Sequence, residues 1–275
     1  MDVLRIPRWR LNTGGEIPAL GLGVYQIPPG RATREAVQIA IEVGYRHIDT
    51  ARIYGNEEDV GAAIRGSGVP RDEIFVTTKL WNSDHGRDAT LRAFDESLRR
   101  LRLDAVDLYL VHWPVPRVRG ETWKAMEAIH RSGRARAIGV SNYMEPHLQE
   151  LLADASVVPA VNQVEFSPFR HRKGLLELCR GSGIQAEAYS PLTKGLRLGH
   201  PRLRSIGERM GRSPAQVLLR WSLQHGLVVI PKTVRRERML ENGRVFDFEL
   251  SPADMALLDG LDEGLATGWD PEDAP

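Results

Sequence analysis

Four residues suited to moving a proton lie at, or just after, the ends of three apolar segments. Tyr45-Arg46-His47-Ile48-Asp49-Thr50 delivers a carboxylate, Phe75-Val76-Thr77-Thr78-Lys79 an amine, and Leu108-Tyr109-Leu110-Val111-His112-Trp113 an imidazole. Tyr54 follows Asp49 closely, in the loop Ala51-Arg52-Ile53-Tyr54-Gly55-Asn56. Taken singly, each has an ordinary explanation: an Asp after a strand forms a turn, a strand-end Lys is solvated, and a lone His is structural. Together they form a working acid. A phenol with a pKa near 10 is a weak acid at neutral pH. An ammonium beside it lowers that value, a carboxylate keeps the ammonium charged and in place, and an imidazole can orient a carbonyl oxygen. Only five of the 37 basic residues are lysines (Lys79, Lys124, Lys173, Lys194 and Lys232), so a compact amine at position 79 is a minority choice in an arginine-rich chain.

These groups can meet only if the segments carrying them lie side by side with their ends on one face. Apolar or β-branched runs recur at Leu20–Val24, Tyr45–Thr50, Ile74–Leu80, Val106–Trp113, Ala135–Asn142, Val161–Phe166, Ile184–Ser190 and Leu227–Lys232. Helical patterns separate most of them. Ala36, Ile39, Ala40 and Val43 form one stripe at helical spacing, and Leu91, Phe94, Leu98 and Leu101 another. Ser213-Pro214 reads as an N-cap and first helical position, with the helix running to about His225 and stopped by Gly226. The alternation predicts an α/β fold with parallel strands, and eight strands are enough to close a (β/α)8 TIM barrel. Periodicity alone leaves a doubly wound open sheet as the alternative. The segment Trp9–Pro18 reads as a small hairpin ahead of the first barrel strand, placed to cover the barrel bottom.

The 275 residues are expected to form one domain over 1–275, since single α/β barrels commonly run to about 250 residues. The net charge of +1 offers no general attraction to nucleic acid or to an anionic membrane. No apolar run approaches the ~18 residues of a membrane span, and the first residues lack a secretory pattern. Cys179 is the only cysteine, which excludes an intrachain disulfide and a zinc–thiolate cluster. A cytoplasmic protein without a metal is expected. No G-x-x-x-x-G-K-[ST] loop, G-x-S-x-G elbow, H-E-x-x-H or His-x-His is present, which disfavours phosphoryl transfer, an α/β-hydrolase and a metal hydrolase. The dinucleotide fingerprint also fails. Gly21-Leu22-Gly23 lacks the third glycine and Gly181-Ser182-Gly183 precedes a strand instead of following one, so both glycine pairs are read as turns.

Gly44-Tyr45-Arg46-His47-Ile48-Asp49-Thr50-Ala51, then Tyr54-Gly55-Asn56-Glu57 and Val60-Gly61, resembles the first signature of the aldo-keto reductase family. Thr78-Lys79-Leu80-Trp81, His112-Trp113-Pro114 and Ile230-Pro231-Lys232-Thr233 are similar to its later segments, in order, from roughly Ile17 to Leu261. The resemblance implies an eight-stranded barrel that binds NADPH without a Rossmann motif. It makes Tyr54 the general acid, with Lys79 and Asp49 lowering its pKa and His112 positioning the carbonyl. It also implies cofactor contacts: Ser141, Asn142 and Gln163 to the nicotinamide carboxamide, Tyr189 stacked on the ring, and Ser190, Pro191 and Leu192 along the pyrophosphate. Lys232, Thr233 and Arg238 match the grip on the 2′-phosphate, and Glu241 and Asn242 the adenine contacts. Tyr25, Trp81, Trp113 and Trp269 match pocket walls beside His112. The short tail is similar to that of bacterial 2,5-diketo-gluconate reductases. Small aldehydes and α-dicarbonyls are therefore the expected substrates, sugar-derived ketones come second, and a monomer is expected. A second possibility is a nucleotide-binding sensor on the same barrel, similar to the potassium-channel β subunits.

Overall fold

The structure, a computed structural model, describes residues 3–271. It opens with an antiparallel hairpin, β1 (Arg8–Arg10) and β2 (Glu16–Pro18), in which Trp9 pairs with Ile17. The barrel strands follow: β3 (Leu22–Gly23), β4 (His47–Asp49), β5 (Phe75–Leu80), β6 (Val106–Val111), β7 (Ala135–Ser141), β8 (Val161–Glu165), β9 (Gln185–Tyr189) and β10 (Val228–Val229). Each pairs in parallel with the next in chain order. The helices are α1 (Arg31–Glu42), α2 (Glu57–Gly66), α3 (Arg87–Leu101), α4 (Arg119–Arg131), α5 (Glu145–Asp154), α6 (Lys173–Gly181), α7 (Pro201–Met210), α8 (Pro214–Gln224), α9 (Arg236–Gly243) and α10 (Pro252–Asp259). All eight expected strands are present, each inside its expected run.

The sheet closes on itself, which sets aside the open doubly wound alternative. Val229 N–H donates to Ala19 O at 3.0 Å, and Gly21 N–H donates to Val229 O at 2.9 Å. At this seam the glycine reading needs correction. Gly183 is a turn residue with φ +69°, but Gly21 and Gly23 lie on the first barrel strand and its approach. A Cβ on Gly21 would sit 2.7 Å from His47 Nδ1, and one on Gly23 would sit 3.0 Å from Ile230 O. Close approach of neighbouring backbone and side chain, not a turn, is what demands glycine here.

Strands enclosed on both faces need continuous apolar runs, and every residue of β5 and β6 is buried. Outside the strands, α1 buries Ala36, Val37, Ala40 and Ile41, and α3 buries Phe94, Leu98 and Leu101. Inside, Leu11 and Ile17 of the hairpin join Phe75, Leu108, Val161 and Val228 in a separate apolar cluster, so the hairpin plugs the bottom of the barrel. The start of α8 is fixed as expected: Ser213 Oγ accepts from Gln216 N–H at 3.3 Å, and Gln216 Oε1 accepts from Ser213 N–H at 3.1 Å. No described helix is long and apolar enough to cross a membrane. With the bottom filled, polar residues at the strand C-termini face the one open end.

Candidate active site

The four residues expected to handle the proton converge at that end. Asp49 ends β4, Lys79 lies on β5, and His112 follows β6. Lys79 Nζ, fully buried, donates to both carboxylate oxygens of Asp49 at 2.7 and 2.8 Å and to Thr50 O at 2.9 Å. Its distance to Tyr54 Oη is 3.5 Å. Tyr54 closes a single 3₁₀ turn, Arg52–Tyr54. Buried Asn56 pins that turn by accepting from Thr50 Oγ1 at 2.8 Å and donating to Val24 O at 3.1 Å. The His112 ring stands edge-on to Tyr54, with centroids 5.8 Å apart.

Burial sets the protonation states. The Tyr54 phenol is pushed well above its ordinary value, first by desolvation and then by the Asp49 charge. The expectation that Lys79 and Asp49 together lower it is not met. Lys79 is clamped on Asp49, and desolvation of the phenol together with the Asp49 charge prevails. His112 is pushed well below its ordinary range, first by burial and then by Lys79. At neutral pH, Tyr54 therefore carries its proton and His112 is a neutral imidazole.

The expected cofactor residues form an arc around the same mouth. Ser141 ends β7, Gln163 lies on β8 and Tyr189 ends β9. Tyr189 donates its hydroxyl to Asn142 Oδ1 at 2.9 Å, and Asn142 Nδ2 donates to His112 O at 3.0 Å. Gln163 Nε2 donates to Asp49 Oδ2 at 2.8 Å and to Glu187 Oε2 at 3.3 Å, which leaves its Oε1 without a protein partner among the described residues. Asn142 and Ser190 hold φ of +63° and +48°, left-handed values uncommon outside glycine and concentrated at functional sites. Pro191 and Leu192 continue the loop after β9. Lys232 is exposed and Thr233 buried after β10, and Thr233 Oγ1 accepts from Arg235 N–H at 3.2 Å at the start of α9. On α9, Arg238 is exposed, Glu241 half-buried and Asn242 buried. Neither Lys232 nor Arg238 makes an ion pair among the described residues.

A family model for the aldo/keto reductase family matches residues 19–263. The chain belongs to that family. Members are NADP(H)-dependent oxidoreductases of carbonyl compounds. The reductase is 50% identical over 264 residues to the glyoxal reductase of Bacillus subtilis, covering 96% of each chain. It is also 50% identical over 282 residues to the morphine 6-dehydrogenase of Pseudomonas putida, covering 97% of this chain and 95% of that one. The crystal structure of a Bombyx mori aldo-keto reductase in complex with NADP superposes with a TM-score of 0.92 at 35% identity, covering 99% of both chains.

Aromatic rings surround the reductase's tetrad. Tyr25 lies 4.9 Å from the Tyr54 ring and Trp81 lies 5.3 Å from His112. Trp269 packs on Trp113 at 4.6 Å, although it is 59% exposed. The tail carrying Trp269 is held by Arg170, which pairs with Asp270 at 2.5 Å and donates to Gly264 O at 2.7 Å. Glu165 accepts from Thr267 N–H at 3.0 Å. Sequence reasoning missed Glu187 and His47. Both are fully buried below the tetrad, 3.7 Å apart, and Gln163 links Glu187 to Asp49. Burial, then Asp49, pushes Glu187 up to about 8, while burial, then Lys79, pushes His47 down to about 3. A signal was available: Glu187 lies two residues before Tyr189, which puts a carboxylate on the same strand face as that tyrosine.

Proposed function

We propose that this reductase uses NADPH to reduce small aldehydes and α-dicarbonyls, with Tyr54 as general acid. The observation that carries the reading is a protonated, half-buried phenol 3.5 Å from an ammonium locked on Asp49, with a neutral imidazole edge-on to the phenol ring. The residues present suit the cofactor. Gln163 Oε1 is open to a carboxamide N–H, Tyr189 offers a ring at the mouth, and the loop Ser190–Leu192 runs where a pyrophosphate can lie. Lys232 and Arg238, neither in an ion pair among the described residues, offer positive charge beside the start of α9, a suitable setting for a phosphate. NADPH, when bound, supplies the hydride.

The protein's own part is orientation and a proton. His112, neutral, donates a hydrogen bond to the carbonyl oxygen and aims its carbon. As negative charge builds on that oxygen, Tyr54 hands over its proton. An alkoxide is a far stronger base than a phenolate, so even a raised phenol pKa leaves this transfer favourable. Lys79 Nζ, 3.5 Å from the hydroxyl, is the cation nearest the phenolate left behind, and Asp49 holds that nitrogen in place. Tyr25, Trp81, Trp113 and Trp269 wall an apolar pocket, and the exposure of Trp269 leaves it open on one side.

Similarity to a glyoxal reductase supports the dicarbonyl class, and sugar-derived ketones are the second class. Similarity to a morphine dehydrogenase supports some tolerance of larger bodies. Loss of nicotinamide absorbance with glyoxal, methylglyoxal, a keto-sugar and a steroid ketone tests the reading. The highest kcat/KM is expected for the dicarbonyls and the lowest for the steroid. A clear preference for the steroid overturns the substrate class, and no turnover with any carbonyl overturns the activity.

A further inference from the structure

Away from the tetrad, the loop after β8, the end of α8 and the end of α10 bring His171, His225 and Asp259 together. Each offers a ligand atom, and these atoms all lie within 4.8 Å of one another. His225 Nε2 is 2.8 Å from Asp259 Oδ1, and the two imidazole centroids are 5.1 Å apart. The rings are held by aromatic packing. Fully buried Trp221 stands edge-on to His171 at 5.1 Å and to His225 at 4.6 Å, and Phe166 stands edge-on to His171 at 5.6 Å. Trp221 Nε1 also donates to Asp259 Oδ1 at 2.8 Å, which orients the carboxylate. Rigid rings, and a donor that fixes the carboxylate from behind, are what a preorganised metal site requires.

The three residues open onto a cavity of about 470 Å³, also lined by Lys173, Leu176, Glu177, Arg180 and Gly260. Its two cations do not leave it positive. They are matched in number by Glu177, 4.0 Å from Lys173, and by Asp259, while Arg180 donates to His225 O at 3.3 Å.

We propose that His171, His225 and Asp259 bind a divalent transition-metal cation of the zinc class, with solvent completing the shell. Two imidazoles and one carboxylate are a common zinc donor set, and metal–ligand distances of about 2.0–2.2 Å put tetrahedral donors roughly 3.4 Å apart. Donors already within 4.8 Å reach that spacing by side-chain adjustment. Imidazole donors also select zinc over magnesium, which prefers an all-oxygen octahedron. The position gives the cation a structural consequence. Asp259 is the root of the tail that carries Trp269, and His171 lies in the loop whose Arg170 holds Asp270. A bound cation staples the two. The sequence carries no short metal motif for this site because its ligands come from three distant segments.

Titration calorimetry of the tag-free, chelator-stripped full chain with zinc chloride tests the proposal, with magnesium chloride as control. One zinc per chain is expected, with a Kd of roughly 10 µM or tighter, and no magnesium uptake. Zinc at a hundredfold excess over Kd should raise Tm by about 5–10 °C. His171→Gln and His225→Gln should each weaken zinc binding at least about tenfold, while His130→Gln leaves it unchanged. NADPH turnover and Tm of each variant in chelator show whether it is folded. No saturable zinc binding overturns the proposal. So does zinc binding in which folded His171→Gln and His225→Gln match the parent. The calorimetric readout does not depend on the proposed carbonyl chemistry, so the two readings fail separately.

Discussion

Tyr54 shows how little of a residue's role lies in the residue itself. A free phenol titrates near 10, and here burial and the Asp49 charge hold it higher still. What makes it useful is the sequence of partners behind it: Lys79 Nζ at 3.5 Å and Asp49 clamping that nitrogen from both oxygens. Removing the hydroxyl while keeping the ring removes the proton and little else. Tyr54→Phe should lower kcat/KM for methylglyoxal by about 10²- to 10⁴-fold. NADPH affinity, read by protein fluorescence quenching, should stay within about twofold. A phenylalanine variant that turns over normally would mean that another group delivers the proton. The four residue types were legible in the sequence because each stands out at the end of an apolar run. The raised pKa was not, since it depends on how Lys79's charge is shared and on what surrounds the ring.

At the scale of elements, the expected site residues lie at or near the C-terminal ends of the strands, and helices carry the chain from one strand to the next. β10 and α9 give the sharpest case. β10 is only two residues long, yet its closing bonds to the first strand fix where Lys232 and Thr233 emerge. Thr233 Oγ1 then supports the start of α9, which carries Arg238 into solvent with no carboxylate partner among the described residues. A charge-assisted bond to phosphate is worth roughly 1.5–3 kcal/mol. Arg238→Ala should therefore raise Kd for NADPH at least about tenfold and leave that for NADH nearly unchanged, measured by titration of both cofactors. Equal losses for both would show that Arg238 does not read the 2′-phosphate.

The whole molecule sets the electrostatics of the barrel interior, where charge must be matched across strands far apart in sequence. Glu187 on β9 faces Asp49 and His47 of β4, Lys79 of β5 and Gln163 of β8. Its folded pKa of about 8 is above the ordinary value of 4.5, so the folded state holds a proton that the unfolded chain releases. That contribution to stability is fully present below about pH 4.5 and is lost as pH rises through about 8. His47 runs the other way. Its depressed value of about 3 gives stability present above the ordinary 6.5 and lost as pH falls toward 3. Glu187→Gln removes the first effect alone. Between roughly pH 6 and roughly pH 9, the Tm of the variant should gain on the parent by at least about 3 °C. Parallel Tm curves across that range would mean Glu187 is already ionised in the folded protein.

The sequence by itself determined which segments become strands, where α8 starts and which residue types could do chemistry. Those properties are local: apolar runs, a Ser-Pro cap and a polar residue at a run's end are read within a few positions. Only the tertiary structure decided closure over an open sheet, because that rests on Val229 meeting Ala19 and Gly21 from opposite ends of the chain. The same holds for Gly21 and Gly23: their spacing suggests turns, and only the approach of His47 and Ile230 shows why glycine is needed there. It holds again for the pair formed by Glu187 and His47, and for the cluster of His171, His225 and Asp259. Each of these depends on distances between segments, and a linear pattern carries no information about the space that burial and barrel closure leave between them.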